Sequence, residues 1–132
     1  MKSKIWLNRQ DKDIFVKKAK NDGFVSRSAY KLLEIENKYR LILKSSNILE
    51  LGSAPGSWSQ VVCKINNNAK IDAFDLLDMK FRNNKINFVK NNFLNYDFIQ
   101  SKKKYDLILS DVAPNSIGHK STDHLRIATL IL

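Results

Sequence analysis

The chain has 132 residues, 43% of them hydrophobic, with a formal net charge of +10. That length suits one globular domain with a modest core; no apolar stretch reaches the roughly 20 residues that cross a bilayer and no secretory apolar segment is evident, so a soluble protein is expected. Cys63 is the single cysteine, which excludes an internal disulfide and fits a reducing, cytoplasmic setting. The positive charge favours a polyanionic partner through counterion release, although an AT-biased genome yields the same surplus of Lys, Asn and Ile.

In chain order, Asp11 can cap a helix near 12–21, with Asp13 in its first turn, lysines toward its end and Gly23 as its stop. A second helix near 28–40 gathers Ala29, Leu32, Leu33, Ile35 and Tyr39 on one apolar face and carries Lys31 at its flank. A strand follows at 47–51, then a glycine loop at 52–56. The helix at 58–65 places Trp58, Val61, Val62 and Ile65 at i, i+3, i+4 and i+7, so one face packs on a sheet. Asn66-Asn67-Asn68 turns the chain into a strand at 70–75, and Asn83-Asn84 turns it into another at 86–89. Lys102-Lys103-Lys104 reads as a solvated loop before a fourth strand at 106–110, and Ser121-Thr122 opens an apolar helix that runs to Leu130-Ile131-Leu132.

This alternation predicts an α/β fold with a mainly parallel sheet and flanking helices, whose ligands bind beyond the carboxyl ends of the strands. Three candidate sites fall there. The loop 52–56 allows close backbone approach and presents the free N–H groups of the next helix. Asp75 closes a strand about twenty residues later, where an acid can bind ribose hydroxyls. Ser110-Asp111-Val112-Ala113-Pro114-Asn115 ends the fourth strand, with Asp111 facing the same cleft or serving as a turn residue before Pro114. A nucleoside cofactor is expected; the loop lacks the G-x-G-x-x-G spacing of a dinucleotide dehydrogenase.

Several segments, in order, resemble the FtsJ/RrmJ-type ribose 2′-O-methyltransferases of large-subunit ribosomal RNA. They are Ile5-Trp6-Leu7, Val25-Ser26-Arg27-Ser28-Ala29-Tyr30-Lys31-Leu32, Glu34-Ile35, Leu51 to Gln60, Asp75-Leu76-Leu77-Asp78-Met79, and Ser110 to Asn115 with Gly118. The resemblance implies a Rossmann-like methyltransferase fold, with residues 1–45 as a basic helical segment and 46–132 as the cofactor-binding core of one partial domain. It implies S-adenosylmethionine as cofactor, held by Gly52, Ser53, Pro55, Gly56, Trp58, Asp75, Leu76, Asn92, Phe93 and Asp111, and no metal. Lys31 and Asp111 match two members of a Lys-Asp-Lys-Glu catalytic tetrad. The substrate implied is a ribose, of a uridine, in the RNA of the large ribosomal subunit, with Lys17, Lys18, Lys20 and Arg27 toward the RNA.

A ribose hydroxyl is a weak nucleophile until its proton is removed or strongly hydrogen-bonded, which is why the tetrad joins lysines to acids. Ser53 and Ser57 stand where the family has smaller loop residues, and Asn92 where it usually has an aspartate near the adenine. The tetrad's second lysine and its glutamate are expected beyond Leu132. The alternative expectation is therefore a catalytically impaired RNA- or ribosome-binding module. The strand ending in Asp111 is expected to expose an unpaired edge, apolar on both faces through Leu107-Ile108-Leu109.

Overall fold

The computed structural model of the chain describes residues 14–111 and 126–130. Ile5-Trp6-Leu7, the Asp11 cap with Asp13, Val112 to Asn115 and Gly118 lie outside them. Helix α1 covers 14–22 and stops where Gly23 takes φ +83°, which lets Phe24 N–H return to the Ala19 carbonyl at 2.9 Å. Helix α2, Ala29–Tyr39, ends at Arg40 in the left-handed region, with its N–H bonded to Glu36 O. Then follow β1 (Asn47–Leu51), α3 (Ser57–Ile65), β2 (Lys70–Asp75), β3 (Ile86–Lys90), a short 3-10 turn (Phe93–Asn95), α4 (Phe98–Ser101), β4 (Leu107–Ser110) and β5 (Arg126–Leu130).

The sheet order is β3-β2-β1-β4-β5, with the first four strands parallel. From β1 the chain steps outward through β2 to β3, then returns to place β4 on the other side of β1. That reversal makes the carboxyl ends of β1 and β4 a topological switch point, where such sheets open a crevice. Registered neighbours share a face: Ile48, Ile71, Ala73, Leu107 and Leu109 pack under α2 and α3 with Leu32, Trp58, Val61 and Val62. Leu49 and Phe74 face the other way, against Tyr105, Phe93, Tyr96 and Phe98. Alternating burial on both faces of β1 leaves Ile48, Leu49 and Glu50 all buried, as a central parallel strand requires.

Sequence patterning missed the turn and helix between β3 and β4. Their signal is aromatic: Tyr96 and Phe98 lie 4.9 and 5.5 Å from the Phe74 ring and 4.6 Å from each other. The Asp72 carboxylate anchors the returning chain, accepting from Tyr105 Oη at 2.6 Å and Lys103 Nζ at 3.0 Å. Lys103 is thus paired while staying exposed with Lys102 and Lys104, in the solvated loop the lysine run predicts. Asp106 ties the start of β4 to β1, accepting from Ser46 N–H at 2.7 Å and Asn47 N–H at 3.0 Å.

The C-terminal expectation needs correction. Residues 126–130 are not the end of a helix but strand β5, antiparallel to β4 with Leu107 opposite Leu130 and Ile108 opposite Thr129. The physical reason is the open edge itself: unpaired N–H and C=O groups on an apolar strand recruit a neighbouring segment as a ladder partner. The edge expected to be bare is therefore paired along most of β4.

Glu36 holds the turn between α2 and β1, its buried carboxylate accepting from Ile42 N–H at 2.7 Å and Leu43 N–H at 3.1 Å. Glu36→Ala strands both donors, so a loss of about 2 kcal/mol is expected. It will show as a lower urea midpoint with an unchanged slope, and an unmoved midpoint contradicts it.

Candidate functional site

The glycine loop is shaped by bonds to β2. Gly52 and Ser53 both send their N–H to Phe74 O, at 2.9 and 3.1 Å, with Gly52 at φ +75°. Pro55, after a cis peptide, offers its carbonyl to Lys80 N–H at 2.8 Å and Phe81 N–H at 3.2 Å. At Gly56, φ is +118° and a Cβ would lie 3.0 Å from Phe81 Cβ and 3.3 Å from Met79 Cε, so a side chain is excluded twice over.

Asp75 does more than the sequence suggested. Its Oδ2 accepts Ala54 N–H at 2.8 Å and its Oδ1 accepts Leu77 N–H at 2.9 Å, so one carboxylate fixes both the glycine loop and the loop after β2. Each oxygen keeps a lone pair for a further donor. Beyond it Leu76 and Leu77 stand in solvent, 60% and 69% exposed. Asn92 caps the turn after β3 by accepting Leu94 N–H at 2.9 Å, while Phe93 is partly buried against the core of the opposite sheet face.

A polar cavity of about 60 Å³ opens between the ends of β1 and β4, lined by Ser28, Glu50, Gly52, Ser53, Ala54, Ser57, Trp58 and Asp111. Gly52, Ser53, Trp58 and Asp111 were expected here as cofactor contacts; Ser28, Glu50 and Ser57 were not. The Ser53 hydroxyl is buried and, among the described residues, has no hydrogen-bond partner. Burial pushes the Asp111 carboxyl upward, and the positive charge of Lys31 pulls it back, so these two predicted residues face each other electrostatically. Larger cavities lie elsewhere, one of about 720 Å³ lined by Leu49, Leu51, Phe98 and Ile108 together with Lys103, Lys104, Tyr105 and Asp106, at the opposite, amino end of β4 from the glycine loop.

Lys31 reaches this place because the segment before α2 is clasped to α3. Ser26, Ser28 and Ser57 form a triangle of hydroxyls at 2.8, 2.8 and 2.6 Å. Trp58 Nε1 donates to Ser28 O at 2.9 Å, and Gln60 accepts Val25 N–H at 2.8 Å while donating to Gly23 O at 3.0 Å. Trp58 is thereby a buried structural pin as well as a cavity wall. Lys17, Lys18, Lys20 and Arg27 are all exposed on this N-terminal segment, Lys18 lying 4.7 Å over the Tyr30 ring. Among the described residues no group of His, Cys, Asp or Glu is placed to hold a metal ion, and no helix is long and apolar enough to cross a membrane.

Glu50 is fully buried beneath α3, hydrogen-bonded by the Ser59 hydroxyl. Burial raises its carboxyl from 4.5 to about 8; the charges of Asp75 and Asp111 add to that, and the Ser59 bond opposes it. Between those values the folded chain holds a proton that the unfolded chain has lost. Stability therefore falls as pH rises through this window, by about 1.4 kcal/mol per pH unit from this group, and levels off above pH 8. Thermal melts from pH 6 to 9 are expected to show this decline and Glu50→Gln to flatten it; parallel profiles for the two proteins contradict the assignment.

Comparison with known proteins places this geometry. The sequence profile of the FtsJ-like methyltransferases matches residues 24–132. The chain is 44% identical to ribosomal RNA large subunit methyltransferase E of Rickettsia peacockii (strain Rustic), across 96% of this chain and 60% of that protein. It is 39% identical to the protein of the same name from Rhodopseudomonas palustris (strain BisB18), across 99% of this chain and 58% of that one. The crystal structure of a ribosomal RNA methyltransferase from Plasmodium falciparum superposes with a TM-score of 0.55 at 35% identity, covering 68% of this chain and 57% of that one. The chain thus spans about 60% of the length of the curated relatives it matches. Together with the glycine loop and Asp111 at one switch point, within reach of the charge of Lys31, these matches mean that the chain belongs to the FtsJ-like methyltransferase family.

Proposed function

We propose that the chain forms the cofactor-binding part of an enzyme that methylates a ribose 2′-hydroxyl, of a uridine, in large-subunit ribosomal RNA, with S-adenosylmethionine as methyl donor. The observation that carries this reading is the meeting of the glycine loop and Asp111 at the β1/β4 switch point, with the charge of an exposed Lys31 acting on Asp111, in a chain whose relatives are named ribosomal RNA methyltransferases.

The residues fit such a cofactor. Gly56 leaves bare backbone where a side chain would collide with Phe81. The unpaired Ser53 hydroxyl offers a hydrogen bond, and acids at three neighbouring strand ends suit a cationic molecule rich in hydroxyls. In this assignment Gly52, Ser53, Pro55, Gly56 and Trp58 hold the amino-acid end. Asp75 accepts from the ribose diol, Leu76 supplies apolar surface beside it, and the Asn92 amide meets the base. When bound, the sulfonium supplies a methyl group already activated for transfer. The chain's task is to present the nucleophile in line with it. Lys31 hydrogen-bonds the 2′-hydroxyl and offsets the negative charge that builds on its oxygen; Asp111 orients Lys31; the proton passes to the tetrad's second lysine, which the family resemblance puts beyond Leu132.

In a protein extended to the full length of these relatives, Lys31→Ala and Asp111→Ala are each expected to slow methyl transfer to large ribosomal subunits by about 10²- to 10⁴-fold. Equal transfer by parent and variants overturns the assignment. S-adenosylmethionine binding without transfer by a protein extended to the full length of these relatives selects the ribosome-binding module instead.

Lys17, Lys18, Lys20 and Arg27 are assigned to RNA phosphates. Replacing all four with Gln is expected to reduce the slope of log Kd against log salt by about 3, in line with four lost contacts to single-stranded RNA. An unchanged slope excludes this face from the interface.

A further inference from the structure

We propose that Glu50 is the charge-selecting residue of the cofactor site: its buried carboxyl gives up its proton when a sulfonium cofactor enters and keeps it when the neutral thioether product occupies the same place. This rests on the reading just given and deepens it.

Geometry carries the proposal. Glu50 sits one residue before the end of β1, in register with Ala73 of β2 and Leu109 of β4, and so points to the α3 face, into the small cavity. Asp75 closes β2 and Asp111 follows β4, so three acids flank the glycine loop at adjacent strand ends. The charged and titratable groups around Glu50 are Asp75, Asp111 and, on α3, Cys63; Ser59, also on α3, donates a hydrogen bond to it. Lys31 is the cation that reaches this group, and it acts on Asp111. The cavity therefore has more potential negative charge than its own cation offsets.

A buried carboxyl in that position stays protonated while no further cation is present. A sulfonium adds the missing positive charge. The Glu50 O–H bond then breaks, its electron pair stays on the carboxylate, and the proton leaves to solvent. The thioether left after methyl transfer carries no such charge, so the carboxylate takes a proton back. Cofactor is held through an ion pair in a low-dielectric site, and product is held without one.

The test is calorimetric titration of the full chain with S-adenosylmethionine and with S-adenosylhomocysteine, in buffers of different ionisation enthalpy, from pH 6.5 to 8.5. The expected result is proton release with the sulfonium alone, a sulfonium Kd that falls about tenfold across the range, and a thioether Kd that stays constant. Glu50→Gln is expected to bind both ligands and to lose the pH dependence. Should that variant fail to fold, the infrared band of a protonated carboxyl in the parent serves instead: it should vanish with the sulfonium and persist with the thioether. Binding of both ligands with a flat Kd ratio and no proton release overturns the role of Glu50 alone. Binding of neither overturns the cofactor reading and this proposal with it.

Discussion

The carboxylate of Asp75 sits between two backbone amides, Ala54 on the glycine loop and Leu77 on the loop after β2, and satisfies both. Without it the Gly52–Gly56 turn would have to find another acceptor at the exposed end of a parallel sheet, where the ladder has run out. Because β2 and β1 are in register from Asn47 to Leu51, this bond also fixes how far the loop stands above the strands. The Phe74 carbonyl takes two more N–H groups from the same turn, and Pro55 returns the favour to Lys80 and Phe81. The cradle is thus built from reciprocal backbone bonds between two connections. Its shape is a property of the sheet and not of any ligand.

Onto that cradle the N-terminal segment is fastened by side chains. Gln60 and Trp58 each reach back to backbone groups between Gly23 and Ser28, so the first turns of α3 act as a bracket for the start of α2. Lys31 lies one turn further along. Its position relative to Asp111 is therefore inherited from α3 packing and not from any direct bond between α2 and the sheet end. A change at Gln60, remote from any chemistry, would be felt at Lys31.

Much of this was legible in the sequence, for identifiable reasons. The period-3.6 spacing of Trp58, Val61, Val62 and Ile65 and the apolar runs of β1 and β2 are strong local signals, and those elements fall within one residue of expectation. Gly52, Ser53, Trp58 and Asp111 do meet at one cavity. Glu50 was not legible, because a glutamate in an apolar strand gives no sign of whether it faces water or helix until register is known. The serine hydroxyls were missed for a similar reason: Ser26, Ser28 and Ser57 are ordinary surface residues until two distant segments are laid together. Phe93, expected at the cofactor, is partly buried against the aromatic core, a contact that local sequence does not reveal. At the C-terminus, helical patterning gave way to the demand of an unpaired strand edge.

The triangle of serines has a consequence for what the cavity can recognise. Each hydroxyl has one proton, and Ser26 spends its own on Ser57. The two remaining contacts then have a single solution: Ser57 donates to Ser28, and Ser28 to Ser26. The ring closes on itself and no proton is left over. Ser28 and Ser57 line the cavity, so that wall presents only lone pairs, as the carboxylate of Asp111 opposite also does. Among the described residues Ser53, unpaired, is the lining hydroxyl with a proton still to give, and the protonated carboxyl of Glu50 holds another. Such an enclosure is selective by proton count: it welcomes a guest rich in N–H, O–H or positive charge, and among the described side chains only Ser53 and the protonated Glu50 can greet an acceptor.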